Sequence, residues 1–508
     1  MLAARPRPTL RPSRFALWTL LFIALIGATR IPEPFEGDQA FFTLTARSLV
    51  HGARLYVDVW DNKQPGIFLF YALAGRLFGF GEVGVHLLEL VYQLITAAAL
   101  IGFMQRQLRQ PLFACLAGFL AVGSFYLCAA GWHLGQVEGL VGLPILVSVA
   151  LASRSAASRA ERRAQMLGAG LAMGCVALFK LVLSPIPVLG WLIAYLVCGL
   201  EEGPSALSFF SDWLLPAIAG VGAVLAAAVL WLTHHGGWHE LLWTWFIYPL
   251  VASSEIARAP WARLGQSASW LASNYGVGII LAAGCALGWR GWRKEIATIQ
   301  ALAWLLLGAG AIVAQKLSYY EYHFLLMVPP LAMLAARGAD GLATQASWLR
   351  ARPRVVVVGL VAIALLPGYL PALKRSASAF HALAEPSPLR AYQDRRSPAY
   401  RTWHSELAFL NDPSSRSGPI YVFGDPRILW LGHREQAGAI NGWSWGKYPQ
   451  RLWDRLPEQL ATSHPAYVMI SDHYSEMVRE RSPATMALLA QRYQVRNSTS
   501  SGTWYARR

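Results

Sequence analysis

The chain has 508 residues, 55% of them hydrophobic and only 14% charged, with a net charge of +16. Soluble domains carry about 25% charged residues, so this balance argues against a soluble globular chain and for a polytopic α-helical membrane protein. The positive charge does not mark a nucleic-acid partner, because the basic residues fall in short loops between apolar runs, where they set topology.

The first fourteen residues are rich in Arg and Pro, and Arg5, Arg7, Arg11 and Arg14 place the N-terminus in the cytoplasm. The apolar run 15–31 is about one span long and is followed by Pro32 and Pro34. No small-residue cleavage site follows it, which favours an uncleaved first helix over a signal peptide. Next comes the most polar part of the first hundred residues, with four carboxylates at Glu36, Asp38, Asp58 and Asp61 and a lysine at Lys63. It is bounded after Gly66 by a second apolar and aromatic stretch, 67–80. Ionisable groups held against a membrane are functional candidates by default.

Further spans are expected at 83–103, 111–130, 139–152, 166–182, 185–200, 213–232, 273–289, 297–315, 323–336 and 354–371, about eleven in all. Arg106 and Arg109, then Arg154, Arg159, Arg162 and Arg163, then Arg290, Arg293 and Lys294, and finally Arg337, Arg350, Arg352 and Arg354 fall in alternate loops on the N-terminal side. The loop 201–212 has no basic residue and is the weak point of the pattern. An odd count puts the C-terminus outside. All five cysteines lie in apolar runs without metal spacing, which argues against a disulfide frame or a zinc site.

Residues 372–508 are richer in Arg, Pro, Ser and Asp and carry two short β-like runs, 420–423 and 466–470. Helical patterns flank them at 402–411, 448–461 and 483–493. This predicts two domains, a transmembrane one over 1–371 and an outer α/β one over 372–508, joined by a linker through Pro386, Pro388 and Pro398.

Asp38 follows Gly37 and opens an amphipathic stretch over 40–50. A carboxylate there is a candidate general base for a hydroxyl, and equally an ordinary helix N-cap. Asp61-Asn62-Lys63-Gln64-Pro65-Gly66 reads as a turn. Its lysine either pairs with a phosphate at headgroup level or snorkels as an anchor. His235 and His239, followed by Glu240, have a metal-ligand spacing, but Gly236 and Gly237 break the helix it needs, and no metal is expected.

The first polar loop, with Gly37-Asp38-Gln39, Leu55-Tyr56-Val57-Asp58 and Asp61-Asn62-Lys63-Gln64-Pro65-Gly66, resembles the first outer loop of GT-C glycosyltransferases. The similarity is to the branch with protein O-mannosyltransferases, lipid A aminoarabinose transferases and bacterial core-sugar transferases. Gln64 stands where a proline is usual in that group, and a Gln, Gln39, rather than an acid follows Asp38. Two later segments resemble the same group. In His133-Leu134-Gly135-Gln136-Val137-Glu138-Gly139, Glu138 matches a second acid. Lys316-Leu317-Ser318-Tyr319-Tyr320-Glu321-Tyr322-His323, before Pro329-Pro330, matches an aromatic, basic segment that implies Lys316, Tyr320 and His323 against a lipid phosphate. An interfacial charge for Glu138 and a tyrosine-belt neighbour for His323 are the plainer alternatives.

The resemblance implies inverting transfer of a sugar from a polyprenyl-phosphate-linked donor to a glycan, lipid or protein hydroxyl, at the outer face of a bacterial inner membrane. Asp38 would be the catalytic base, and Lys63, Glu138, Lys316, Tyr320 and His323 would bind substrate. No cofactor is implied, since such donors carry no nucleotide. The rival class is a transporter or flippase of lipid-linked sugars, which would want charges inside the spans and matched broken helices. Lys180 and Glu89 are the charges that come nearest to that pattern, and no internal repeat is visible.

Overall fold

The computed structural model describes residues 14–202, 206–234, 237–287, 295–345 and 351–508. The basic residues Arg5, Arg7, Arg11, Arg290, Arg293, Lys294 and Arg350, with His235 and Gly236, lie outside these. Among the described residues, seven helices are long and apolar enough to cross a bilayer: Glu82–Gln105, Pro111–Cys128, Arg159–Leu183, Phe209–Thr233, Trp261–Cys285, Ile296–Ala314 and Glu321–Gln345. The pair Pro353–Leu365 and Tyr369–Ala382, bent by 80°, makes an eighth if it is one span. Shorter apolar helices are Arg14–Ala28, Gly66–Phe78, Val137–Ala152 and Pro185–Val197. The apolar stretch 67–80, not counted as a span from the sequence, is thus a helix of 13 residues.

Leu21, Leu230, Ile280, Leu306 and Ile363 stand exposed on these helices. A belt of large apolar side chains facing outward suits acyl chains, and the chain is a multi-pass membrane protein. Inside the bundle small residues let backbones meet. A Cβ at Gly170 would lie 2.1 Å from the Ala217 carbonyl oxygen, and one at Gly220 2.3 Å from that of Leu167. Helix Arg159–Lys180 therefore packs on Leu215–Thr233 at backbone contact, the usual way helices associate where lipid removes the hydrophobic drive.

The C-terminal unit is a four-stranded sheet, β1 (Ile420–Phe423), β2 (Tyr467–Ile470), β3 (Tyr493–Thr499) and β4 (Gly502–Arg507), in the order β1-β2-β4-β3. β1 and β2 are parallel, with Ile420 opposite Tyr467, and the helix Gln450–Ser463 lies in the crossover between them. β4 runs antiparallel to both β2 and β3. Alternate residues of β1 and β2 serve different cores, as the period of two requires. Ile420, Val422, Tyr467 and Met469 pack with Trp504, Leu407 and Ile428 on one face. Tyr421, Phe423, Val468 and Ile470 on the other face join a core that includes Phe35, Phe42, Trp60, Phe68 and Tyr71. One face of the sheet and the first polar loop are therefore buried together.

The prolines of the expected linker lie at the starts of helices, Pro386–Arg396 and Pro398–Glu406. Proline has no N–H to lose in a first turn, and its fixed φ suits one.

Candidate active site

The helix Gly37–Val50 begins after Glu36, whose N–H donates to Gln39 Oε1 at 2.7 Å. Asp38 is accordingly the second residue of the helix and not its cap, and its carboxylate is turned to other partners. Oδ1 accepts from the Trp443 indole N–H at 2.7 Å, and Oδ2 from Gln136 Nε2 at 3.5 Å.

The turn after Trp60 holds Lys63 in the field of three acids, Asp61, Asp38 and Glu138. Asp61 Oδ1 accepts the Lys63 backbone N–H at 2.9 Å and lies 3.6 Å from Nζ. The ammonium also lies 5.0 Å from the centre of the Phe42 ring. Burial works against the Lys63 charge, but Asp61, Asp38 and Glu138 together outweigh it and hold the lysine above its ordinary value. Asp61 is buried, and burial pushes its carboxyl up against the pull of Lys63. Asp58 is separate. It is exposed and paired with Arg54 at 2.8 Å, and the hydrogen bond from that guanidinium keeps it low.

Glu138 begins the next group. Its Oε1 accepts from Lys180 Nζ at 2.6 Å and lies 3.9 Å from His323 Nε2. Lys180 also donates to Gln315 Oε1, and Gln315 Nε2 lies 2.8 Å from the His323 ring. Glu138 and His323, singled out in the sequence, do come together, and Lys180 and Gln315 bind them into one network. Gln136, two residues ahead of Glu138, links this group to Asp38. Tyr320 stacks on Tyr322 with centroids 5.5 Å apart and lies 5.8 Å from the His323 ring. Lys316 donates to the Ser253 carbonyl, and no contact with Glu138 or His323 accompanies that bond.

The C-terminal unit completes the rim. Lys447 Nζ lies 3.2 Å from the Tyr320 hydroxyl and 4.6 Å from its ring centre. Asn441 Nδ2 donates to the Trp60 carbonyl at 3.0 Å and to Asp61 Oδ2 at 3.4 Å. Arg427 bridges Glu36, at 2.5 Å, and Asp425, at 2.7 Å. Trp443, Asn441 and Lys447 were not singled out from the sequence, although Gly442-Trp443-Ser444-Trp445-Gly446-Lys447-Tyr448 stands out there as a glycine-spaced aromatic run. Lys180 was visible as a charge in an apolar stretch. His235 of the histidine spacing lies outside the described residues, and among those described no group of three or more His, Cys, Asp or Glu is placed to hold a metal ion.

No family model matches the sequence, and no curated protein matches it. The fold is similar to the crystal structure of ArnT from Cupriavidus metallidurans bound to undecaprenyl phosphate, with a TM-score of 0.57 and 15% identity, over 97% of this chain and 98% of that one. The apo form of that protein gives 0.56 over the same shares. The oligosaccharyltransferase AglB from Archaeoglobus fulgidus, in complex with an inhibitory peptide and a dolichol-phosphate, gives 0.50 at 12% identity, over 98% of this chain and 74% of that one. The chain shares the fold of these two proteins.

Proposed function

We propose that this chain is a membrane glycosyltransferase that moves a sugar from a polyprenyl-phosphate-linked donor to a hydroxyl of a glycan, lipid or protein acceptor, with inversion. The observation that carries the reading is the Asp38 carboxylate, held among the described residues by the N–H donors of Trp443 and Gln136, with the Lys63 ammonium in its field. In the reaction Asp38 takes the proton of the acceptor hydroxyl. The freed oxygen pair forms a bond to the anomeric carbon from the face opposite the phosphate. The bond from that carbon to the phosphate oxygen breaks, and its electron pair leaves with the polyprenyl phosphate. Lys63 offsets the negative charge that builds on the leaving oxygen, a positioned cation being worth most where water is scarce. Glu138, Tyr320 and His323 line the substrate space, and Lys316 reaches it once its bond to Ser253 is exchanged for a ligand.

The undecaprenyl phosphate in the similar structure supports the donor class, and the peptide and dolichol-phosphate of the second are consistent with it. The setting we assign is the inner membrane of a bacterium, with the N-terminus cytoplasmic, about eleven spans, and residues 372–508 as a domain on the periplasmic side. The test is purified protein incubated with a panel of undecaprenyl-phosphate-linked sugars and hydroxyl acceptors, beside the Asp38→Asn variant. Transfer by the parent should fall about 10²–10⁴-fold in the variant, the worth of general-base assistance. An amide keeps the shape of the acid and cannot take the proton. Variant transfer within about twofold of the parent would remove Asp38 as the base, and no transfer with any donor would overturn the reading.

A further inference from the structure

The residue that sits on the candidate base comes from the far end of the chain. Trp443 Nε1 donates to Asp38 Oδ1 at 2.7 Å across a separation of 405 residues. An indole N–H donates and has no lone pair to accept with, so it is a partner for a carboxylate and cannot relay its proton. Among the described residues the other oxygen, Oδ2, has only the 3.5 Å contact with Gln136, at the outer limit of a hydrogen bond.

The placement of the indole is specified from three sides. Its backbone N–H donates to Asn441 Oδ1 at 3.0 Å, and its carbonyl accepts from the Tyr474 hydroxyl at 2.7 Å. Asn441 is itself bonded to the Trp60 carbonyl and to Asp61 in the turn that carries Lys63. On the facing helix, Gly37 leaves the room that the ring occupies, since a Cβ there would lie 2.4 Å from Trp443 Cζ2. The glycine before Asp38 thus clears space for a side chain of the C-terminal unit.

We propose that Trp443 is a positioning residue for Asp38: it fixes Oδ1 so that Oδ2 is the oxygen presented to the acceptor hydroxyl, and the C-terminal unit is thereby part of the active site. This rests on the reading of Asp38 as the base. Asn441 sets Trp443 and the Lys63 turn together, so one side chain couples the positions of base and cation. The other ionisable groups within the field of Asp38 are Asp61 and Lys63 of the turn, Tyr71 of the next helix, and Tyr322 and His323, and a substitution at Trp443 removes none of them.

The experiment uses the full chain in detergent, with the undecaprenyl-phosphate sugar that supports transfer by the parent, and undecaprenyl phosphate alone as a binding probe. Trp443→Phe keeps the ring and removes the donor. Its kcat should fall roughly ten- to a hundredfold, as for a lost hydrogen bond to a charged group, with binding of undecaprenyl phosphate unchanged. The acid limb of kcat/KM should move to higher pH, because the lost donor favoured the ionised carboxylate over the acid. Gly37→Ala leaves every polar group intact but pushes the indole aside, and it should give the same shift of the limb. It also serves if Trp443→Phe does not insert. A lower kcat with the acid limb unmoved in either variant means that Trp443 is a packing residue, and overturns the proposal. If Asp38→Asn is inactive while both variants behave as the parent, the proposal alone falls. If Asp38→Asn keeps its transfer, the base reading falls and takes the proposal with it.

Discussion

Lys63 sits where its charge has the most to do. Three carboxylates hold it above the ordinary 10.5, burial notwithstanding, so it remains a cation through the neutral range. Lys63→Ala should lower transfer tenfold or more, since a charge-assisted contact to phosphate is worth about 1.5–3 kcal/mol, and Lys63→Arg should restore part of it. In the parent, no alkaline loss of activity traceable to this lysine should appear below about pH 10. Turnover unchanged in the alanine variant would make Lys63 a membrane anchor. Lys180 supports a second expectation. Its partner Glu138 is buried, so Lys180→Met leaves an acid without its cation, which costs about 3–5 kcal/mol when a buried pair is broken on one side. Thermal unfolding should show most of that loss recovered in Lys180→Met with Glu138→Gln, and additive losses would mean that the pair is not coupled. These residues also show how far a side chain can be read from a sequence. A charge in an apolar run advertises itself, as Lys180 does, and Asp38, Glu138 and His323 were picked out by their places at the ends of such runs. Trp443 and Asn441 were not, because a hydrogen bond across hundreds of residues leaves no spacing to recognise.

At the scale of elements, what was legible depended on burial. β1 is buried at every position and its apolar run coincides with the strand, while β3 is exposed at five of its seven positions and gave no such run. The helix Trp261–Leu287 begins well before the apolar span expected from residue 273. Its first half carries Arg263, Gln266 and Ser267, and a break at Tyr275 (φ −119°, ψ 20°) separates it from the apolar half. One junction between elements makes a prediction. Glu33, at the end of the first helix's turn, is buried with Arg30 at 3.5 Å, Arg396 at 3.1 Å and the Tyr392 hydroxyl at 3.2 Å. Burial raises its pKa, and Arg30 and Arg396 more than reverse that, so the carboxyl lies below the ordinary 4.5. A depressed acid contributes stability that is present above its unfolded value and lost as pH falls through the folded one. Glu33→Gln should therefore lower Tm near pH 7 and flatten the decline of Tm that the parent shows below about pH 4.5. A parental acid-side slope retained in the variant would assign that slope to other groups.

For the whole molecule, contacts across the chain fix which segments share a side of the membrane. Asn441 bonds to Trp60 and Asp61, before the helix Gly66–Phe78, and Glu82, after it, accepts from the Tyr400 hydroxyl at 2.8 Å and Trp430 Nε1 at 2.9 Å. The chain therefore enters and leaves that helix on the side of the C-terminal unit. At 13 residues, about 20 Å, it is also too short for a hydrocarbon core of about 30 Å. The same contacts put the C-terminal unit on the side reached directly after the first helix, whatever the number of spans between. On our proposal that the N-terminus is cytoplasmic, that side is the periplasmic one. A reporter active only in the cytoplasm, fused after Arg508, should be silent, and the same reporter placed after Arg109 should be active. Activity after Arg508 together with silence after Arg109 would reverse the whole molecule in the membrane, whereas activity at both would mean that the first helix does not cross, and would place Asp38 and Lys63 on the cytoplasmic face.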